Sequence, residues 1–335
     1  MTWNVLITAS PFADSLGKGA RDLLAAPDFS ITHAARYGPL TEAEVLSQLD
    51  RMDAVYASMD KYTAAVLASP QAARLKVISR WGVGCDAIDR EAATREGIVI
   101  AYTPGLLNEA VAEYAMVLLF AIARHVHTGH ISMHEGKWTP QWGREVAGST
   151  LGLVGCGRIG QAVARRADAF GMRVIAFDPA PHPDAEKLGV RFVSLDELLA
   201  ESDFVSLHAA LSPATRGLIG EAQLRRMKKS AYLINTSRGA IVDEAALIRA
   251  LHEGWIAGSA LDAFVTEPLP AGHPLLGAPN TLITPHQASF GAETGARVST
   301  TVARAIFDCH AGRRPQFVLN PEVFDSPALR MTLSR

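Results

Sequence analysis

Apolar residues come in short unbroken blocks along this chain, and each block is followed by a stretch whose apolar positions recur at helical spacing. Val5–Ala9 precedes the helix-like Gly19–Ala26, Ala54–Ala57 precedes Tyr62–Ala68, and Val77–Ser79 precedes Ala87–Arg95; Ile98–Ala101 closes this first series. A long apolar helix is expected from about Asn108 to His130, with Pro104-Gly105 before it and Asn108 as its cap. A second series follows, with strands Leu151–Val154, Arg173–Phe177, Phe204–Leu207, Tyr232–Asn235, Gly258–Leu261 and Thr281–Ile283. Helices Ile159–Phe170, Leu195–Ala200 and Glu244–His252 lie between these strands. Fully apolar strands alternating with helices predict parallel sheets covered on both faces. The last helix, about Ala292–Cys309, has no strand after it and no place in the second series, so it is expected to return to the first. That gives a discontinuous first domain, 1–101 plus 290–335, a second domain, 102–289, and a cleft between two α/β units where ligands bind.

The second series opens on Gly155-Cys156-Gly157-Arg158-Ile159-Gly160, directly after a buried strand and at the start of an amphipathic helix. In that setting G-x-G-x-x-G is a dinucleotide fingerprint. Gly155 permits the tight turn, Gly157 lets the backbone approach a pyrophosphate, and Gly160 lets helix and strand pack closely. The N–H groups of Arg158 and Ile159 would face the phosphates. Asp178 ends the next strand, 18 residues past Gly160. A carboxylate there accepts from two ribose hydroxyls and repels a 2′-phosphate, which favours NAD over NADP. Both domains are therefore expected to be Rossmann-like, doubly wound parallel sheets.

Composition narrows the partners. The net charge is −2 and no block of Lys and Arg occurs, so nothing attracts nucleic acid or an anionic membrane. The most apolar segment, Ala110–Ala123, is about 14 residues long, too short to span a bilayer. The N-terminus lacks a signal-peptide pattern, and three scattered cysteines make no disulfide framework, so a cytoplasmic protein is expected. His125, His127, His130 and His134 cluster without an acidic third ligand, so no metal site is expected and a solvated helix end or dimer contact is preferred. Cys156 reads as a small buried residue, and Trp138 and Trp142 as packing residues near a dimer arm.

Three residues carry the chemistry: Arg238 in INTSRGAIVD, Glu267 in LDAFVTEP and His286 in ITPHQAS, each just past a strand. A 2-oxo acid offers a carboxylate beside a carbonyl, and the planar guanidinium fork of Arg238 holds both and polarises the carbonyl. His286 delivers the proton as general acid, or accepts it in the reverse direction. Glu267 would favour imidazolium and fix its orientation. In the first series the glycines of Trp81-Gly82-Val83-Gly84 allow backbone amides to point at an anion. Ser58 lies on the adjacent strand end.

At these residues the chain resembles the D-isomer-specific 2-hydroxyacid dehydrogenases. WGVGCDAID, TPGLLNEAVAE, TLGLVGCGRIG, INTSRGAIVDEAAL, LDAFVTEPLP and TPHQAS carry the resemblance. It implies two Rossmann-like domains, the outer one built from both chain ends, and a homodimer formed through the cofactor domain and the long-helix region. It assigns the catalytic roles above to Arg238, Glu267 and His286. It gives Asp262 to the nicotinamide carboxamide, and lines the cofactor with Thr236, Ser237, His208 and the loop after it, including Thr215. It brings the substrate carboxylate to the Val83 and Gly84 amides.

DREAATREGI, with Arg80 before the glycine turn, looks most like the phosphoglycerate dehydrogenase branch. In that branch a basic residue is common on the preceding strand end, where this chain has Ala57, and Asp60 nearby would repel a phosphate. Trp81 replaces a usually small residue and is expected to narrow the pocket, and the chain ends at Arg335 without room for a regulatory extension. Together these favour an unphosphorylated 2-oxo acid such as glyoxylate, hydroxypyruvate or a larger analogue. The alternatives are D-3-phosphoglycerate, a non-catalytic NAD-binding corepressor on the same fold, or oxidation of formate or phosphite. The formate branch carries an amide where Glu267 stands.

Overall fold

Apolar blocks make buried strands, and in the computed structural model, which describes residues 2–25 and 27–334, the strands pair with one another in parallel, with one isolated antiparallel bridge from Ala101 to Val318. The chain divides into two units, one running to Leu107 and resuming at Phe290, the other Asn108–Ser289. The first holds β1 (Trp3–Ile7), β2 (Phe29–His33), β3 (Ala54–Ala57), β4 (Val77–Arg80) and β5 (Val99–Ala101), in the order β2-β1-β3-β4-β5. The helix Ala292–His310 packs on β3, β4 and the helix Lys18–Leu24. Ser79 Oγ donates to the Val302 carbonyl at 2.9 Å, a buried tie between strand and final helix.

The second unit holds β6 (Thr150–Val154), β7 (Arg173–Phe177), β8 (Arg191–Phe192), β9 (Phe204–Leu207), β10 (Tyr232–Asn235), β11 (Gly258–Leu261) and β12 (Thr281–Ile283). Their order is β12-β11-β10-β9-β6-β7-β8, so the winding reverses between β6 and β9. Ligands of such sheets bind outside the carboxyl ends of the strands at this reversal. The helix Asn108–Ala123 packs on β10, β11 and the helix Arg158–Ala169 and brings Leu118, Leu119 and Ile122 into the core.

Three expectations are corrected. The first strand sits two residues earlier than Val5–Ala9, and the following helix ends at Leu24, while Ala26 lies outside the described residues. Strand Phe29–His33 and helix Glu42–Leu49 were not expected. Phe29–His33 is an edge strand with one buried residue, so it forms no apolar block, and Glu42–Leu49 announces itself only by the Thr41/Glu44 capping box. The long helix is not continuous to His130. It stops at Ala123, His125 takes a left-handed φ of 52°, and Val126–His134 leaves at 65°. No single helix among the described residues is long and apolar enough to cross a membrane; the bent pair passes that test only when taken together.

Candidate active site

The parallel register of the second unit puts most of the expected cofactor and catalytic residues beyond the carboxyl ends of its strands. Gly155 follows β6, Asp178 β7, His208 β9, Thr236 β10, Asp262 β11 and Thr284 β12.

The fingerprint glycines divide their work as the spacing requires. Gly155 has φ +92°, and a Cβ there would lie 2.6 Å from the Ala209 nitrogen. At Gly160 a Cβ would lie 2.5 Å from the Gly155 carbonyl oxygen, so helix and strand touch there. A Cβ on Gly157 would meet nothing within 4 Å, which leaves open space at a helix N-terminus, where backbone N–H groups suit an anion. Arg158 is exposed and Ile159 half-buried beside it. The Asp178 carboxylate is oriented by two amides, Cys156 N–H at 2.8 Å and Ala180 N–H at 2.9 Å. Thr236 Oγ1 is buried with no hydrogen-bond partner among the described residues. His208 Nε2 lies 2.9 Å from Ser206 Oγ, and desolvation pulls its imidazole down to about 4, so the ring is neutral at pH 7. Thr215 helps build the loop after His208: its hydroxyl donates to the Ala210 carbonyl and accepts from Ser212 N–H. Cys156 is buried, and burial pushes its thiol up to about 11.

Arg238 leaves β10 through a turn held by Asn235. The buried Asn235 side chain accepts from Ser237 N–H at 3.0 Å and Ser237 Oγ at 2.9 Å, and donates to the Arg238 carbonyl at 3.0 Å. Arg238 Nη1 donates to the Ser237 carbonyl at 2.8 Å. Asp243, the nearest downstream acid, spends its carboxylate capping the helix Glu244–His252. Gly239 explains how the Arg238 turn reaches the Glu267 segment: a Cβ there would lie 2.0 Å from the Phe264 carbonyl carbon.

His286 Nδ1 lies 2.9 and 2.8 Å from the two Glu267 oxygens, and Glu267 is steadied by Phe264 N–H at 2.9 Å. Nδ1 is thus engaged, which leaves Nε2 for proton transfer. His286 has φ +52°, an uncommon conformation for a residue with a side chain. Asp262 holds it there. Its carboxylate accepts from Thr284 Oγ1 at 2.6 Å, Gln287 N–H at 2.9 Å and Ala288 N–H at 2.8 Å. Burial pushes Asp262 above the usual carboxylate range while these donors pull it back. Gln287 Nε2 then donates to Tyr114 Oη at 2.6 Å, tying the loop to the helix Asn108–Ala123.

In the first unit, Ser58 and Arg80–Gly84 lie together past β3 and at the end of β4. Trp81 N–H donates to the Ala57 carbonyl, and Gly82 N–H donates to Thr103 Oγ1 at 3.2 Å. The amides of Val83 and Gly84 have no hydrogen-bond partner among the described residues. Trp81 is buried: its Nε1 donates to Ser299 Oγ at 3.0 Å and its ring meets Phe290 edge-on, so it packs inside its own unit. Asp60 is buried too, and Ser58 N–H, Leu40 N–H and Thr8 Oγ1 all donate to it.

Asn235, Thr284, Gln287, Tyr114 and Thr103 were not among the residues expected from sequence. Asn235 alone left a trace, since an Asn two residues before a serine at a strand end is a turn-forming pattern. No group of His, Cys, Asp or Glu among the described residues makes a metal site.

Residues 116–288 match the model of the D-isomer specific 2-hydroxyacid dehydrogenase NAD-binding domain. A glyoxylate reductase of Korarchaeum cryptofilum is 48% identical over 259 residues, 75% of this chain and 78% of that enzyme. A D-3-phosphoglycerate dehydrogenase of Methanocaldococcus jannaschii is 42% identical over 286 residues, 84% of this chain and 54% of that enzyme. Among solved structures, a glyoxylate reductase from Paecilomyes thermophila superposes with a TM-score of 0.80 at 30% identity, covering 96% of this chain and 99% of its own. This chain belongs to the D-isomer specific 2-hydroxyacid dehydrogenases and is an NAD-dependent oxidoreductase.

Proposed function

We propose that this enzyme reduces a small unphosphorylated 2-oxo acid to its D-2-hydroxy acid, with Arg238, Glu267 and His286 as its catalytic residues. The observation that carries this reading is the contact of His286 Nδ1 with both Glu267 oxygens, at the same sheet edge as Arg238. NADH, when bound, supplies the hydride. Arg238 holds the substrate carboxylate and polarises the adjacent carbonyl. His286 Nε2 delivers the proton to the carbonyl oxygen as negative charge develops there. Glu267 keeps the ring aimed. In the first unit, the Val83 and Gly84 amides are open backbone donors in a glycine turn, the kind of group that takes a carboxylate.

Two features favour an unphosphorylated acid: Ala57 where a base would suit a phosphate, and several relatives that are glyoxylate reductases. Asp60, expected to repel a phosphate, is buried among its donors, so its effect is indirect. The test follows NADH oxidation across a panel of 2-oxo acids. Glyoxylate or hydroxypyruvate should turn over well ahead of 3-phosphohydroxypyruvate, and the reverse order would overturn the substrate assignment.

We also propose NAD rather than NADP, read by Asp178. Its carboxylate is fixed by the Cys156 and Ala180 amides, so a 2′-phosphate would meet an oriented negative charge. Asp178→Ala should weaken NADH and strengthen NADPH in paired binding titrations, shifting their ratio by roughly tenfold or more, since hydrogen bonds to charged groups contribute ~1.5–3 kcal/mol. An unchanged ratio would show that the ribose is read elsewhere.

A second copy of this chain is the proposed partner. Trp138 and Trp142, expected to pack, are 83% and 100% exposed, and Val126, Ile131 and Met133 are exposed on the helix just before them. Exposed apolar groups so close in the chain are a protein contact in waiting. Light scattering should return twice the chain's 35.8 kDa; a monomer at micromolar concentration would refute the pairing.

A further inference from the structure

The side chain of Arg80 is the feature of the first unit that the proposed reaction leaves unused. It is 7% exposed, and its Nε donates to the Gly84 carbonyl at 3.1 Å. Gly82 sits directly on its guanidinium. A Cβ added at Gly82 would lie 2.8 Å from Nη1 and 3.1 Å from Cζ, and φ there is +136°, which a side chain would resist. A cation thus lies under the Gly82–Gly84 turn and grips its last carbonyl. The same cation lies within electrostatic reach of Asp60, whose carboxylate is fixed by Thr8 Oγ1, Leu40 N–H and Ser58 N–H. Thr103 holds the turn's other end, accepting from Gly82 N–H and donating its own N–H to the Gly82 carbonyl at 3.1 Å. Every polar group of Gly82 is spent inward, while the Val83 and Gly84 amides are not. By holding the Gly84 carbonyl, Arg80 fixes the Gly84–Cys85 peptide and so the exit of the turn that carries the Val83 and Gly84 amides.

We infer that Arg80 is a positioning residue: it clamps the Gly82–Gly84 turn from beneath, so that the Val83 and Gly84 amides are pre-aimed at the substrate carboxylate. The inference rests on the proposed reduction of a 2-oxo acid and specifies how the acid head is recognised. Arg80 is assigned no contact with the substrate's tail: its Nε is spent on the Gly84 carbonyl and Gly82 covers its guanidinium. Its charge adds to the attraction for a carboxylate without touching it. Lysine cannot replace it, since an ammonium has neither the Nε donor nor a flat face for Gly82 to rest on.

Kinetics with two substrates separate this role from others. Glyoxylate has no tail beyond its carbonyl hydrogen, whereas hydroxypyruvate carries a hydroxymethyl group. Arg80→Lys should raise KM for both by the same factor, roughly tenfold, with kcat within about twofold and NADH affinity unchanged, the pattern of lost uniform binding. A KM increase for hydroxypyruvate alone would make Arg80 a tail contact and overturn the inference. So would an unchanged KM for glyoxylate, or a loss confined to kcat. Should Arg80→Lys fail to fold, Asp60→Asn decides: it removes the charge within reach of Arg80 and should raise both KM values together, by a smaller factor. Failure of the underlying reading is distinguishable, because the unmodified enzyme would then oxidise NADH with neither acid.

Discussion

His286→Ala should lower kcat for 2-oxo acid reduction by about 10²–10⁴-fold, the usual worth of a positioned proton donor, while the Kd for NADH stays nearly unchanged. The geometry makes the two readouts separable. The imidazole meets Glu267 through Nδ1, which leaves Nε2 for the proposed proton transfer, and neither the amide bonds that fix Asp178 nor the contacts at Gly155 and Gly157 involve the ring. The backbone at His286 is set by Asp262, which takes three donors from residues 284–288 whatever side chain stands at 286. Alanine should therefore leave the loop in place and remove only the proton donor. Fluorescence titration with NADH and steady-state kinetics on the same preparation check this. Loss of NADH binding in step with kcat would mean that the histidine is structural.

Much of this arrangement was legible in the sequence because it depends on backbone. The fingerprint works through three glycines, and their separate roles, a positive φ at Gly155, open space at Gly157 and contact at Gly160, follow from having no Cβ. Arg238, Asp178 and His286 are placed by strand ends, which apolar blocks mark well. Elements held by few buried residues were not legible: β2 buries little, and the break at His125 depends on one left-handed residue. The hidden supports were least legible of all. Asn235, Thr284 and Gln287 act through one to three hydrogen bonds at a turn, which polar loop residues make in many settings. Trp81 was readable as large and apolar, but only coordinates show that its indole faces Ser299 and Phe290 inside its own unit. The non-catalytic alternative keeps the same triad, so the motifs could not separate them; the enzyme relatives do.

Arg238→Lys tests the other half of the chemistry, and the expected loss is about 10²-fold or more in kcat/KM for every 2-oxo acid, the cost of misplacing a reacting group by about 1 Å. The charge survives this substitution, so an effect of charge alone would be small. What lysine lacks is the planar fork that spans a carboxylate and the neighbouring carbonyl together. The site is built to exploit that plane. Asn235 locks the turn that carries Arg238, Ser237 receives one of its guanidinium N–H groups at 2.8 Å, and Gly239 lets the segment close against Phe264. Such support orients one face of a rigid group and gives little to a flexible ammonium. The loss should fall on kcat as well as KM, because polarising the carbonyl matters more as its oxygen gains charge than in the ground state. NADH affinity should not move. If Arg238→Lys keeps full kcat and changes KM alone, Arg238 only anchors the carboxylate, and polarisation of the carbonyl must be assigned to His286.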